Sequence, residues 1–412
     1  MDAILERCCG IDVHKSSLTA CLLTGSLASK PTTTIKTFST MTNSLFELKY
    51  WLESEGCTHV AIESTGVYWK PVFNILEDSL TVILANARDL KTLPGRKTDV
   101  KDSQWIAQLL RCGLIKASFI PPNPIRELRD LTRYRKQLSN DLTSEKNRVQ
   151  KILQDANIKL SSVATDIFGA SGTAMIEALL GGCEDAVVMA DLAKGALRNK
   201  IGELEQALVG KVTGHHRFML RASLDHIHYL KGAISSVDQE VDDCMKPFAE
   251  ERELLMQIPG VKKRAAETLI AEIGVDMSVF PSHSHLASWA GMSPGNNESA
   301  GKRHSGKTTH GNCWLRSALL ESAWAASRTK GCFYKARYCR LAAKRGAKRA
   351  SVAIAHSILV AVYHILKDGC AYHELGEDYF DRLNEQAVKN RLVKRLEKMG
   401  HKVILEPKPQ AA

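Results

Sequence analysis

The sequence predicts an α/β-plus-α fold: a mixed sheet at the N-terminus, a helical, coiled-coil-like middle and a mainly helical C-terminal part. Three observations lead to this prediction. Residues 7–85 alternate short apolar runs with helical spacing, Pro-Pro-Asn-Pro at 121–124 stops any helix, and residues 125–158 place apolar side chains at heptad positions. A chain of 412 residues, 44% hydrophobic and 25% charged, is expected to form two or three globular domains.

The N-terminal third is predicted to form three strands, then a helix, a strand, a helix, a strand and a helix. The predicted strands are residues 7–14, 17–24, 32–40, 59–66 and 81–85, and the predicted helices are 42–55, 72–76 and one that begins near residue 99. Three antiparallel strands followed by crossover units give a mixed sheet with helices on its faces.

Four carboxylates in this region are candidates for chemistry. Asp12 lies within the first strand and Glu63 ends the fourth, so neighbouring parallel strands would bring them to one edge of the sheet. Asp99 and Asp102 open the last helix and, three residues apart, point the same way. Four converging carboxylates would need divalent metal, most naturally Mg²⁺, as two ions about 3.5–4 Å apart. The alternative for the helical pair is a solvated first turn that favours the helix dipole.

The charge distribution predicts a polyanionic partner. The formal net charge is +11, and from Lys302 to Arg349 there are 13 Lys or Arg residues against one acid, Glu321. Such a block attracts nucleic acid by counterion release. Because no run of about 18 apolar residues and no secretory signal is found, no membrane span is expected. Eleven cysteines without a CxxC pair favour reduced thiols in a cytoplasmic protein.

The middle of the chain is predicted to be helical. The heptad pattern of residues 125–158 suggests a coiled coil, with a second subunit as one candidate partner and with Arg135 and Glu145 as polar misfits. A Gly-rich break at 169–182 is followed by further helical patterns. Four histidines are interpreted as ordinary helix residues because no acid or cysteine completes a ligand set: His215, His216, His226 and His228.

The C-terminal part contains two patterns that suit phosphate chemistry. Gln257–Gly274 resembles a helix-hairpin-helix, whose Pro-Gly turn can present backbone N–H groups to a phosphate. Residues 293–312 have the composition of a flexible loop, yet place Ser299 and Ser305 among cations that could neutralise a reacting phosphate. Chemistry alone does not choose between these serines.

The residues quoted so far also carry a resemblance. Gly10–Lys15, Ile62–Trp69 and Lys97–Asp102 resemble the motifs of the DEDD transposases of bacterial insertion sequences. The second, transposase domain of that family is matched at Pro259-Gly260, Ala271–Gly274, Leu286–Gly291, Ser299–Gly301 and Gly311–Arg316. The motifs occur in the family's order and cover most of residues 5–330.

The resemblance implies a ribonuclease H-like N-terminal domain of the Holliday-junction resolvase type. It implies Asp12, Glu63, Asp99 and Asp102 as the metal-binding quartet and Ser299 as the nucleophile. It further implies an element-encoded guide RNA that pairs with donor and target DNA. The expected assembly is a homo-oligomer, a dimer or tetramer, in which the quartet of one subunit meets the serine of another. The chain departs from the family pattern in having Ala300 instead of glycine after the serine.

These expectations define a division of the chain and a set of nucleic-acid contacts. The predicted segments are 1–122 (catalytic), 125–250 (helical spacer), 251–349 (transposase domain) and 350–412 (helix and tail). The predicted contacts are Lys97, Lys101, Lys262, Lys302, Arg303, Lys307 and Arg316.

The predicted function is that of a DNA recombinase that moves an insertion sequence. Two alternatives stay open. One is a structure-selective nuclease that uses metal-activated water, with the serine as a spectator. The other is a DNA-binding protein without catalytic activity.

Overall fold

The computed structural model describes residues 2–64, 66–86, 90, 102–295 and 297–405, with the backbone alone described at 297–299, 303 and 304. The chain forms two compact units, Met1–Ile120 and Pro121–Ala412. A further division of the second unit at residues 250 and 349 stays a prediction.

The first unit contains the mixed sheet that the strand order predicted. Its elements are β1 (Arg7–Val13), β2 (Ser17–Thr24), β3 (Thr32–Ser39), α1 (Thr42–Ser54), β4 (His59–Glu63), α2 (Trp69–Leu76), β5 (Thr81–Ala85) and α3 (Asp102–Arg111). The strand order across the sheet is β3-β2-β1-β4-β5. Strands β1, β2 and β3 pair antiparallel, whereas β1, β4 and β5 pair parallel through crossover connections. The predicted mixed sheet is therefore confirmed.

Helices cover the two faces of this sheet with separate cores. Because successive side chains of a strand point to opposite faces, Cys9 faces α1 and α2 while its neighbour Cys8 faces α3. Burial raises the pKa of the Cys8 thiol to about 12, so this thiol is protonated and unreactive at neutral pH. All eleven cysteines of the chain are free.

The second unit is mainly helical. Its elements are α4 (Asn123–Asp155), α5 (Leu160–Val163), α6 (Ala170–Leu180), α7 (Ala186–Ala190), α8 (Ile201–Leu208), α9 (Gly214–Cys244), α10 (Ala249–Met256), α11 (Lys263–Ile273), α12 (His283–Trp289), β6 (Asn297–Ser299), β7 (Lys302–Ser305), α13 (Cys313–Ala326), α14 (Phe333–Arg345), α15 (Ala347–Asp368), α16 (Tyr379–Leu383) and α17 (Glu385–Lys398). Short 3₁₀ helices occur at Gly195–Lys200, Lys246–Phe248 and Met277–Val279.

The long helices α4 and α9 form an antiparallel pair within the chain. Leu138 packs with Leu230 and Ile234 at its centre. Three polar pairs show the direction, since the residue number falls on α9 as it rises on α4: Arg135–Asp238, Glu145–His226 and Asp155–His216. The misfits Arg135 and Glu145 lie on the buried stripe of α4. The heptad pattern thus has a partner in the same chain, and pairing with a second subunit stays a prediction.

The Gly-rich segment predicted as a break is instead helix α6. Position 172 has no room for a side chain, since a Cβ there would lie 2.3 Å from the carbonyl oxygen of Ile167. Met175, Ile176 and Leu179 of the helix are buried. Tertiary packing therefore overrides the low helix propensity of glycine.

Helix α15 bears on the expectation that the chain has no membrane span. Among the described residues it alone passes by length and composition, with a mean hydropathy of 1.5 over 18 residues. However, Ile354, Ile358 and Leu359 are fully buried, and the helix packs against α12, α13 and α14. Core helices share this composition, so the finding is weak evidence for a membrane span.

Candidate active site

Asp12 and Glu63 lie at the same edge of the sheet in the first unit. Ile11 and Ile62 are opposite each other on the neighbouring parallel strands β1 and β4, and the two acids are the residues that follow. Ile11 and Ile62 point into the core beneath α1 and α2. The acids therefore point to the other face of the sheet, where α3 packs.

Helix α3 brings its N-terminal end to this edge. A Cβ on Gly10 would lie 2.3 Å from both Ser103 O and Ala107 N, so the helix backbone rests directly on β1. Two residues earlier, the Cys8 thiol donates to Ala107 O at 3.6 Å. Residue numbers therefore decrease along α3 in the direction in which they increase along β1. Asp102, the first residue of α3, thus lies on the side of Asp12.

Three of the four predicted carboxylates thus share one end of the sheet. Asp12 has a side chain 22% exposed, and its Oδ2 lies 3.3 Å from Nε2 of His14. Glu63 is half-buried, and Asp102 is exposed. Asp99 lies outside the described residues, as do Lys97 and Lys101. Within the described part of the chain, no three His, Cys, Asp or Glu side chains are grouped closely enough to hold a metal ion.

The donor set nevertheless fits a hard divalent cation. Neighbouring strands are about 4.8 Å apart, so the backbones of Asp12 and Glu63, each following the paired residues Ile11 and Ile62, leave adjacent strands side by side. Two like charges this close repel unless a cation or a proton intervenes. Carboxylate oxygens are the ligands that Mg²⁺ prefers. A predicted magnesium site at this edge is consistent with the chemistry of these residues.

Ser299 lies at the tip of a β-hairpin in the second unit. It ends β6 and is opposite Lys302 of β7, with a two-residue turn between them. The turn residues Ala300 and Gly301 have φ of 50° and 73°, and a positive φ at both positions is typical of a type I′ hairpin turn. The segment predicted to be a flexible loop therefore contains ordered strands. The structure describes only the backbone of Ser299.

The hairpin belongs to a longer arm, residues 293–311, whose two sides are joined along their length. Gly295 N donates to Lys307 O at 2.8 Å, and Thr309 N donates to Ser293 O at 3.4 Å. At the base, a Cβ on Gly311 would lie 2.3 Å from Gly291 N. Small residues at the base thus allow the two ends of the arm to touch.

Arg316 and Asn312 hold the base of the arm. Arg316 Nη1 donates to Gly291 O at 2.6 Å and to Thr308 Oγ1 at 2.9 Å. Asn312 caps α13 by accepting bonds from Trp314 N and Leu315 N, while its Nδ2 donates to Glu272 Oε2. Arg316 therefore has a structural role, and its predicted nucleic-acid contact stays a prediction.

Glu272 is the centre of a buried network that the sequence did not predict. Its side chain is fully buried, and Arg133 donates to its two oxygens from Nε and Nη2, both at 2.7 Å. Arg129 donates to the carbonyls of Ala271 and Glu272, and burial lowers the pKa of Arg129 to about 10, so it stays charged at neutral pH. The network connects α4, α11 and the base of the arm.

A signal for this network exists in the sequence, although it is weak. Glu272 interrupts the apolar end of α11, and Arg129 and Arg133 are one helical turn apart on α4. An acid in an apolar stripe predicts a buried partner. Local patterns cannot identify that partner, because Arg133 and Glu272 are 139 positions apart.

The predicted helix-hairpin-helix segment, Gln257–Gly274, contains a turn followed by α11, and α10 ends at Met256, directly before it. In the turn, Gly260 has φ of 87°, and a Cβ there would lie 2.2 Å from Ser322 O of α13. This glycine is thus required by packing within the unit. Lys262, at the start of α11, is exposed, as are the arm residues Lys302 and Lys307. The Arg303 side chain is not among those described.

The turn beside Ser299 yields a first test. Alanine at positive φ costs about 1–2 kcal/mol, a strain that glycine avoids, so Ala300→Gly is expected to hold the hairpin closed more of the time. Tryptic cleavage after Lys302 should slow several-fold, as about 1 kcal/mol of protection implies. Gly301→Ala, which adds a second strained residue, should accelerate the same cleavage. Equal cleavage rates in both variants would contradict the turn assignment.

Two family models match the chain, one over the region of the predicted carboxylates and one over the region of the arm. Residues 9–158 match the family model of the DEDD transposases of the IS110 type, and residues 252–339 match the model of the IS116/IS110/IS902 transposase family. Together the two matches span more than half of the chain. The chain is also 33% identical over 104 residues to the pilin gene-inverting protein of Moraxella bovis, a match covering 24% of this chain and 32% of that relative. The chain belongs to the IS110 family of DEDD transposases.

Proposed function

We propose that the chain is a DNA recombinase that cleaves and rejoins DNA strands to move an insertion sequence. The family membership and the common location of Asp12, Glu63 and Asp102 at one sheet edge carry this proposal. Further support comes from the relative whose name describes inversion of a pilin gene, which is a rearrangement of DNA.

In the proposed mechanism, Asp12, Glu63, Asp99 and Asp102 would hold divalent metal, most naturally two Mg²⁺ ions. When bound, the metal would polarise the scissile phosphodiester and stabilise the attacking and departing oxygens. The side chain of Asp12, close to His14 and partly buried, is restricted in its orientation by that neighbour. We also propose that the first unit has a ribonuclease H-like fold.

Ser299 would act as the nucleophile. Its Oγ forms a bond to phosphorus while the bond from phosphorus to a deoxyribose oxygen breaks, and the serine proton leaves as the departing oxygen gains one. Attack of a DNA hydroxyl on the phosphoserine then restores both the serine and a phosphodiester. The arm supports this role, because the backbone of Ser299 ends a strand directly beside the two-residue turn at the tip of the hairpin.

The proposed partners are donor DNA, target DNA and a guide RNA, in a homo-oligomer in which the quartet and the serine come from different subunits. Support for nucleic acid comes from the exposed cations Lys262, Lys302 and Lys307. A further exposed group lies where α14 meets α15: Lys344, Arg345, Lys348 and Arg349. The turn between α10 and α11 is likewise proposed to present backbone N–H groups to a phosphate.

Trapping the covalent intermediate tests this function. End-labelled donor DNA is incubated with the full chain, guide RNA and Mg²⁺, and the mixture is denatured before electrophoresis. The protein should carry label, and Ser299→Ala should carry none. Ser305→Ala, which removes the other hairpin hydroxyl, serves as the control and should retain the adduct.

The same experiment separates the second candidate function. A junction nuclease that activates water would cut the DNA in a metal-dependent way and leave no label on the protein. Cleavage by Ser299→Ala at the wild-type rate would establish this alternative and exclude the serine mechanism.

A further inference from the structure

A polar cleft lies beside α3 in the first unit, away from the acidic edge of the sheet. Its volume is about 530 Å³, large enough for a nucleotide-sized ligand. The side of α3 that faces it carries Gln104, Gln108 and Arg111, which share one helix face at spacings of four and three. The opposite wall comes from the β2–β3 connection and β3: Leu27, Ala28, Ser29, Lys30, Pro31 and Thr33.

Arg111 is the unusual residue of this cleft. It is only 3% exposed. Its Nη2 donates to Ser26 O at 2.7 Å and to Ser29 O at 3.4 Å. Nε and Nη1 are buried and have no hydrogen-bond partner in the described part of the chain. No carboxylate forms an ion pair with Arg111 among the described residues, although Asp2 is exposed at the rim.

Among the described residues, this buried guanidinium lacks a counter-ion, and its Nε and Nη1 lack acceptors. Burying a charge is costly unless it is paired, and buried donors are almost always bonded. Nε and Nη1 carry three N–H groups between them. The group that would satisfy them is an anion with several acceptor oxygens, and a phosphate meets this requirement. Lys30 and the amides of Gln104 and Gln108 provide further donors around it.

The position of the cleft indicates which phosphate is relevant. Helix α3 extends from Asp102, at the acidic edge, to Arg111 in the cleft. Nine residues at 1.5 Å each separate them by about 13–14 Å. Phosphates of one strand in a duplex advance by about 3.4 Å each along the axis, so this distance corresponds to roughly four nucleotides.

We propose that this cleft binds a backbone phosphate of a nucleic-acid strand, with Arg111 as the central donor, about four nucleotides from the phosphate at the acidic edge. The ligand chemistry is a phosphodiester, which both DNA and RNA supply. The distance to the acidic edge rests on the proposed function, whereas the affinity of the cleft for phosphodiesters does not.

The variant that best separates phosphate binding from a structural role of Arg111 is Gln108→Glu. It places a carboxylate one turn from Arg111. This carboxylate should supply the missing counter-ion, raise the melting temperature and occupy the donors that the phosphate needs. A purely structural role of Arg111 predicts the rise in melting temperature without the loss of binding. Gln154→Glu makes the same change of charge at an exposed position of α4 and is the matched control.

The measurement is fluorescence anisotropy of labelled single-stranded DNA and RNA oligonucleotides, with the full chain carrying Asp12→Asn to prevent cleavage. We expect Gln108→Glu to weaken the binding of at least one of them by about tenfold and to reduce the salt slope by about one phosphate contact. Gln154→Glu should change the affinity less than twofold. Arg111→Met should also weaken binding, provided that its circular dichroism spectrum matches that of the parent.

Two results would overturn the proposal. One is an unchanged affinity and salt slope in Gln108→Glu for both nucleic acids. The other is binding of inorganic phosphate alone. In that case phosphate would raise the melting temperature of the parent but not of Gln108→Glu, and oligonucleotides would not compete with it. Either result would leave the adduct test of the recombinase unaffected, so failure of the two proposals can be told apart.

Discussion

Replacing Asp12 by asparagine is expected to reduce strand cleavage by about three orders of magnitude or more. The change keeps the shape of the side chain and removes one charge from the acidic edge. Metal-dependent stabilisation of the transition state supplies several kcal/mol, and each 1.4 kcal/mol corresponds to a factor of ten. Because β1 is the central strand and position 12 is partly buried at its end, the fold should persist.

The measurement is the initial rate of cleavage of labelled donor DNA as a function of Mg²⁺ concentration. Asp78→Asn is the control: Asp78 is exposed in the connection that precedes β5, at the opposite end of the sheet. It should cleave at the parental rate. Removal of divalent metal by EDTA should stop cleavage by the parent, and Mg²⁺ should restore it. If Asp12→Asn keeps a tenth of the parental rate, the carboxylate quartet is not the catalytic centre.

Replacing Glu272 by alanine should cause a large loss of stability in the second unit. The substitution leaves Arg133 without its carboxylate partner inside the protein and deprives Asn312 of its acceptor. Breaking a buried ion pair from one side costs about 3–5 kcal/mol. At roughly 2–4 °C per kcal/mol for a unit of this size, the melting temperature should fall by about 10 °C.

The matched control for this variant is Glu321→Ala. Glu321 pairs with Lys136 on the surface of the same unit, with side chains 64% and 40% exposed. An exposed pair contributes less than about 1 kcal/mol, so its melting temperature should change little. Tryptophan fluorescence is a suitable signal, because the Trp314 ring lies 5.8 Å from the Arg133 guanidinium. Equal losses in both variants would show that the buried network adds no more than a surface contact.

Glu272→Ala should also affect the reaction at temperatures at which it remains folded. Asn312 loses one of its contacts at the base of the arm, so the arm should become less rigid. Adduct formation should therefore fall, and Glu272→Gln, which keeps an acceptor for Asn312, should recover part of it.

The sequence predicted the first unit well because its signals are local. The predicted bounds of β2 and β5 agree with those of the structure, and the order of elements was sufficient for the strand topology. The placement of Asp12 and Glu63 at one edge followed from that topology. Three predicted residues of this site, Lys97, Asp99 and Lys101, lie outside the described part of the chain.

The second unit was harder to predict because its decisive contacts are distant in sequence. An Ala-Gly turn is not a strong hairpin signal, so the arm around Ser299 was expected to be a flexible loop. Gly172 in α6, with the glycines at 169, 181 and 182 that flank the helix, favours a break, and the close approach of the Ile167 backbone to Gly172 is not visible in the sequence. Distant contacts matter in the first unit as well, because the burial of Arg111 depends on Ser26 and Ser29, which are 85 and 82 residues earlier in the chain.

The polar residues on the buried stripe of α4 have a consequence for how the two long helices find their alignment. Apolar stripes alone tolerate a shift of seven residues, since leucines would again meet leucines. Such a shift would place Leu142 where Arg135 now meets Asp238 and Glu267, and Arg135 would enter an apolar layer. Each wrong alignment thus carries an unpaired charge. Because Arg135 contacts both α9 and α11, the alignment of α4 with α9 also fixes the position of α11 relative to α4. The base of the arm, which is bonded to α11, is fixed with it.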